Sequence, residues 1–110
     1  DWAMPLSEGD LAGLPAFVVS SLWAAGEAKG LGRPAVTLSR SVIVPFLQHS
    51  PRRDLRAKAF EAWTARGANG GGTDNRAIAA EMLRLREERA RLLGHASYAD
   101  WKLETEMART

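Results

Sequence analysis

His49 and His95 are the residues best suited to metal or proton chemistry, and they are the only histidines in the 110 residues. A hydrolytic zinc site wants three protein ligands and an open fourth position, often with two histidines four apart on one helix. These two stand far apart in sequence, each at the expected end of a helix, where a charged imidazole gains from the dipole. Structural roles are therefore expected, and neither is assigned to a metal. Ser20, Ser21, Ser39 and Ser41 have no His–Asp pair at a spacing that suggests a nucleophile and its base, although triads assemble in space and not in sequence. Gly70-Gly71-Gly72-Thr73 precedes a helix, as in a phosphate-binding loop. The lysine that should follow is absent, and no strand leads in. Arg52, Arg53, Arg56 and Lys58 form a basic cluster that suits phosphate or an acidic partner. No aromatic residues interleave with it, and a solvated helix face is the expected reading. Glu81, Glu87, Glu88, Glu104 and Glu106 read as solvating charge. No catalytic, metal or binding residue is named from these patterns.

The elements that must position these residues are helical. Ser7-Glu8-Gly9-Asp10 starts a short helical turn ended by Gly13. Pro15 then opens a helix with Leu14, Val18, Leu22 and Ala25 on one stripe, widened by Phe17 and Trp23, and Gly30 and Gly32 stop it. Residues 35–38 read as one short strand, with no second convincing strand in the chain to pair with it. A compact helix is expected to begin between Ser41 and Pro45 and reach His49, with Pro45 in its first turn. Ser50-Pro51 starts the next helix, whose inward stripe is Leu55, Ala59, Ala62 and Trp63 with Phe60 beside it; Arg66-Gly67 closes it. Four glycines fall between residues 67 and 72, a flexible linker. Thr73 or Asp74 caps the longest helix, to about Leu93, with the apolar stripe Ile78, Met82, Leu85 and Leu93. Arg84–Glu88 and Glu87–Arg91 are ion pairs at i,i+4 spacing. Gly94 ends it. Ser97 to Asp100 caps a last helix that buries Tyr98, Trp101, Leu103 and Met107.

The expected class is all-α, about five helices in a small irregular bundle with one short strand near 35–38, and residues 1–110 form a single helical piece. A net charge of +2 and a near balance of 15 basic against 13 acidic residues give no reason to expect a nucleic-acid partner. The absence of cysteine excludes disulfides and thiolate chemistry and fits a reducing, cytoplasmic compartment. No apolar run approaches the roughly 20 residues that span a bilayer, and no membrane partner is expected. The first residues are Asp1-Trp2, so an excised or processed piece is expected.

Five segments in register resemble a known family. Asp10-Leu11-Ala12-Gly13-Leu14-Pro15 is similar to an opening found in bacterial members of the thimet oligopeptidase family. Val36-Thr37-Leu38, followed by Val44-Pro45-Phe46-Leu47, resembles that family's short strand and next helix. Arg53 to Ala59 resembles a further helix. Thr73-Asp74-Asn75-Arg76, with Leu83 to Arg86 and Glu88 to Gly94, resembles a cap and the helix after it. Tyr98-Ala99 and Met107-Ala108 complete the match. The departures are Ala57 for a usual glutamate, Gly72 for a frequent acidic residue and Ala79 for a common isoleucine.

The resemblance implies a mostly helical protein, here the N-terminal helical portion of a zinc oligopeptidase of the peptidyl-dipeptidase or oligopeptidase A type. Full-length members enclose a channel between two helical halves and cleave short peptides. Their zinc is held by a His-Glu-x-x-His helix and a downstream glutamate, and no residue of this chain corresponds to these. The expectation is a chain with no cofactor of its own, zinc belonging to the parent, and no peptidase activity alone. Its partners would be the missing catalytic half, or a second copy through exposed apolar surface. The alternative is a stand-alone helical module, derived from the family, that binds a peptide or a protein.

Overall fold

The computed structural model describes residues 2–108; Asp1, Arg109 and Thr110, the ends of the expected 1–110 span, lie outside the described residues. The chain is mainly helical, with five α-helices and one small two-stranded sheet among the described residues. It divides into two compact units, one ending at Arg66 and the other beginning at Gly67.

The first unit opens with strand β1, Ala3–Pro5, and a single turn of 3-10 helix, Glu8–Leu11. The Asp10 carboxylate closes that turn by accepting from the Ser7 backbone N–H at 2.9 Å and its hydroxyl at 2.6 Å. Helix α1 covers Ala16–Ala28, with Pro15 as its cap. Gly30, at φ +66°, supplies the left-handed residue that ends it. Strand β2, Ala35–Thr37, is wholly buried and pairs antiparallel with β1, Met4 facing Val36. The strand partner is therefore local, which corrects the expectation that none lay in this chain. Ala-Met-Pro is three residues long, has no β-branched residue and ends in proline, so it carries no strand signal of its own.

Helix α2, Arg40–His49, carries Pro45 well inside it and not in the first turn. Proline removes the N–H that would bond to the Ser41 carbonyl, but Ser41 is exposed and water can take that place. Helix α3 is Arg53–Thr64 and starts two residues later than Ser50-Pro51 suggests. Ser50 instead ends α2, its N–H bonded to the Phe46 carbonyl at 2.9 Å, and its hydroxyl accepts from Arg52 N–H at 3.3 Å.

The core of this unit joins Leu6, Val18, Leu22, Val36, Val42, Ile43, Phe46 and Ala59, with Leu55 and Trp63 packed at its edge. Phe17, Trp23 and Phe60 are exposed, so the helices are amphipathic over a narrower face than their apolar residues imply. One glycine is required by packing. Gly26 lies against the backbone of Arg33, where a β-carbon would sit 1.8 Å from the carbonyl oxygen.

The second unit is helix α4, Arg76–Leu92, and helix α5, Tyr98–Leu103. Gly94 takes φ +87°, its N–H bonds to the Arg91 carbonyl at 3.0 Å, and His95 N–H bonds to the Ala90 carbonyl at 3.0 Å. That pattern satisfies the last carbonyls of α4 and turns the chain toward α5. The Ser97 hydroxyl caps α5 by accepting from Asp100 N–H at 3.1 Å. Tyr98, Trp101 and Leu103 are half-buried, but Met107 is fully exposed, contrary to its expected place inside. Residues 104–107 leave the helix after its six positions, too few to carry Met107 back onto α4.

Candidate functional site

The two histidines are held by structural contacts. His49 closes α2 and meets the Phe17 ring edge-on, centroids 5.6 Å apart. His95 follows α4 and places Nε2 3.7 Å from Glu104 Oε2. Among the described residues no group of three metal-binding side chains converges. The side chains present do not fit a catalytic zinc, and no chemical step through a metal follows for this chain.

The glycine segment turns two of its backbone donors onto its own side chains. Gly70 N–H donates to Asp74 Oδ2 at 2.7 Å, Arg76 N–H to Asp74 Oδ1 at 3.0 Å and Gly71 N–H to Asn69 Oδ1 at 3.0 Å. Arg76 also grips Asp74 through its guanidinium, 2.7 Å from Oδ2. The Arg76 side chain, with the backbone N–H groups of Arg76 and Gly70, holds the Asp74 carboxyl down to about 2 from its usual 3.8. A carboxylate of the protein itself occupies the place that an anion would need.

The basic cluster is partly neutralised in the same way. Arg52 donates to Asp54 through Nε at 2.9 Å and through the guanidinium at 2.7 Å, and to Asp10 at 2.7 Å. This holds the Asp54 carboxyl down to about 2. Arg56 donates to the Ser50 carbonyl. Arg53 and Arg56, with Leu47, Ala57 and Phe60, line an open groove of about 470 Å³ between α2 and α3.

Several of the candidate nucleophiles and bases are likewise engaged. The Ser21 hydroxyl donates to the Val18 carbonyl at 2.9 Å, and the Ser39 and Ser41 hydroxyls bond to each other at 3.0 Å. Glu81 and Glu88 both pair with Arg84, Glu87 pairs with Arg91 at 3.2 Å, and Glu106 pairs with Lys102 at 2.6 Å. Lys102 lowers the Glu106 pKa. The two expected i,i+4 pairs on α4 are thus present. A general base needs a free carboxylate or imidazole near a reacting atom, and these acids are committed to cations.

What the sequence reading missed is the link between α4 and α5. Arg86 lies over the Tyr98 ring at 5.4 Å, and Arg89 lies over Trp101 at 4.6 Å. The two rings are 5.5 Å apart, and Glu87 accepts from Tyr98 N–H at 3.3 Å. The signal was a matched spacing: Arg86 and Arg89 are three apart on one helix, as are Tyr98 and Trp101 on the next. Beside this link the stripe Ile78, Met82, Leu85 and Leu92 of α4 is uncovered, with Ile78 63% and Leu92 88% exposed.

The profile of Peptidase family M3 matches residues 46–110. Oligopeptidase A of Haemophilus influenzae is 35% identical over 106 residues, covering 93% of this chain and 16% of the relative. Oligopeptidase A of Escherichia coli is 35% identical over 105 residues, covering 92% and 15%. Dipeptidyl carboxypeptidase of Salmonella typhimurium is 34% identical over 101 residues, covering 91% and 15%. The chain therefore spans about a sixth of the length of these curated relatives. More than half of its residues fall under the family profile and nearly all align with these relatives, so the chain belongs to peptidase family M3.

Proposed function

We propose that this chain forms a non-catalytic part of the helical wall of a zinc-dependent, cytoplasmic oligopeptidase that cleaves short peptides. The observation that carries the reading is a pairing of two facts. The chain aligns over 93% of its length with a protein named Oligopeptidase A, and its 110 residues contain no His-Glu-x-x-His. A zinc hydrolase of this kind needs that helix, or an equivalent set of three ligands, to lower the pKa of a bound water. The catalytic centre therefore lies with other residues, and this chain's part is to shape and support. The engaged carboxylates, paired serine hydroxyls and the His95–Glu104 contact agree with a supporting role.

The test is direct. The purified chain is incubated with short unstructured peptides, with and without added zinc, and cleavage is followed by mass spectrometry. The expected result is no turnover above the blank in either case. Zinc-dependent cleavage that survives repurification would overturn the reading.

A further inference from the structure

We propose that Asn69 is a self-modification site, where the Gly70 backbone nitrogen displaces the side-chain amide as ammonia, and that Asp74 restrains this reaction by holding the Gly70 N–H. The chain has two asparagines, Asn69 and Asn75. The backbone N–H that follows each of them ends on the same carboxylate. Gly70 N–H donates to Asp74 Oδ2 at 2.7 Å, and Arg76 N–H donates to Asp74 Oδ1 at 3.0 Å. Only Asn69 is followed by glycine, which has no β-carbon to keep its nitrogen from the side-chain carbon. Arg76, by contrast, is the first residue of α4. Asn69 and Gly70 are both exposed, so hydroxide and water from solvent reach them.

The step uses hydroxide and water alone. Gly70 N gives its proton to hydroxide, and its electron pair forms a bond to Asn69 Cγ. The Cγ–Nδ2 bond breaks, and Nδ2 takes a proton from water and leaves as ammonia, which restores the hydroxide. Water then opens the cyclic imide at either carbonyl and leaves aspartate or isoaspartate at position 69. Two contacts favour the step. Gly71 N–H donates to Asn69 Oδ1 at 3.0 Å, where negative charge develops, and the Thr73 hydroxyl stands 2.8 Å from the departing Nδ2. Asp74 opposes it. Its carboxyl is held down to about 2, so it is charged at neutral pH. A negative charge beside Gly70 N disfavours loss of that proton. The hydrogen bond to this charged acceptor must also break before the nitrogen can react. Restraint of roughly tenfold follows from such a bond. This inference does not depend on the proposed function, whose assay reads peptide cleavage.

The whole chain is kept at mildly alkaline pH, folded in buffer or unfolded in fresh urea, and peptide mass mapping follows residue 69. The folded chain should lose ammonia from Asn69 about tenfold more slowly than the unfolded one. Both should give aspartate and isoaspartate together. Asp74→Ala, shown to be folded by circular dichroism, should bring the folded rate up toward the unfolded one. Arg76→Ala removes the guanidinium grip on Asp74 but leaves the Gly70–Asp74 bond, and should stay close to the native rate. The urea comparison needs no variant, so it decides even where Asp74→Ala does not fold. Equal rates in the folded and unfolded chain overturn the proposal. So does a folded Asp74→Ala protein at the native rate, or an Arg76→Ala protein as fast as Asp74→Ala. Aspartate alone at position 69 would exclude attack by Gly70 N and overturn it as well.

Discussion

Replacing Gly26 by alanine should destabilise the first unit, although the usual effect in a helix has the opposite sign. Alanine is favoured over glycine inside a helix by about 1 kcal/mol. Here the added methyl would lie 1.8 Å from the Arg33 carbonyl oxygen, 2.9 Å from its carbon and 3.3 Å from Ala35 N. Reaching an ordinary contact of 3.4 Å requires a shift of about 1.6 Å in backbone, not in a yielding side chain. The backbone that must move leads directly into β2. Its displacement would strain the Leu6 N–H bond to the Pro34 carbonyl at 2.8 Å and the β1–β2 pairing beside it.

Forced overpacking of a tight site costs about 1–3 kcal/mol, occasionally more, and exceeds the propensity gain. A net loss of roughly 2–3 kcal/mol is expected once strained strand bonds are included. A unit of this size has a total stability of roughly 3–10 kcal/mol, so the loss is a large share of it. Urea unfolding followed by the fluorescence of Trp23 and Trp63 measures it. Gly9→Ala is the control, because its β-carbon would meet only the Ser7 hydroxyl at 3.9 Å. A Gly26→Ala protein within about 0.5 kcal/mol of wild type, the range of an innocuous surface change, would refute the reasoning.

Phe46→Ala removes a fully buried ring at the centre of the same core and should cost about 3–5 kcal/mol by urea unfolding. In the second unit, Ser97→Ala should weaken α5 by about 1 kcal/mol, read as faster amide exchange at Asp100, whose N–H loses its acceptor. The glycine segment should loosen in acid. Arg76 and backbone donors depress the Asp74 pKa to about 2, so its contribution is complete above the ordinary 3.8 and is lost as pH falls through about 2. Amide exchange at Gly70 and Arg76 should then rise beyond the intrinsic rate. Unchanged protection below pH 2 would show that Asp74 does not hold this segment.

The helices were legible where their ends are local events. Gly30 and Gly94 stop α1 and α4 because a left-handed residue there needs no knowledge of the rest of the chain. Ser97 and Asp100 mark α5 for the same reason. Pairing over distance was not legible. Ala3-Met4-Pro5 becomes a strand only because residues 35–37 lie alongside it. Pro45 is tolerated inside α2 because the carbonyl it leaves unbonded is near solvent, which periodicity does not report. Apolar spacing also overstated the core: Phe17, Trp23, Phe60 and Met107 fit helical stripes but are exposed.

At the candidate sites, local spacing identified the surface ion pairs of α4 and gave no reason to assign the histidines to a metal. It could not foresee that Asp74 fills the glycine loop, since an anion site and a self-capped loop share the same glycines. The family was legible from short segments in register. The stacking of Arg86 and Arg89 on α5 required the turn at Gly94 to be in place first.

The antiparallel pairing of residues 3–5 with residues 35–37 has a consequence for the order in which the first unit assembles. During synthesis residues 3–5 emerge before residues 35–37 and must wait, unpaired, while α1 forms. Loop closure then depends on the tight approach at Gly26, which brings the later strand back to β1. The earlier strand is thus fastened only when the later one returns to it.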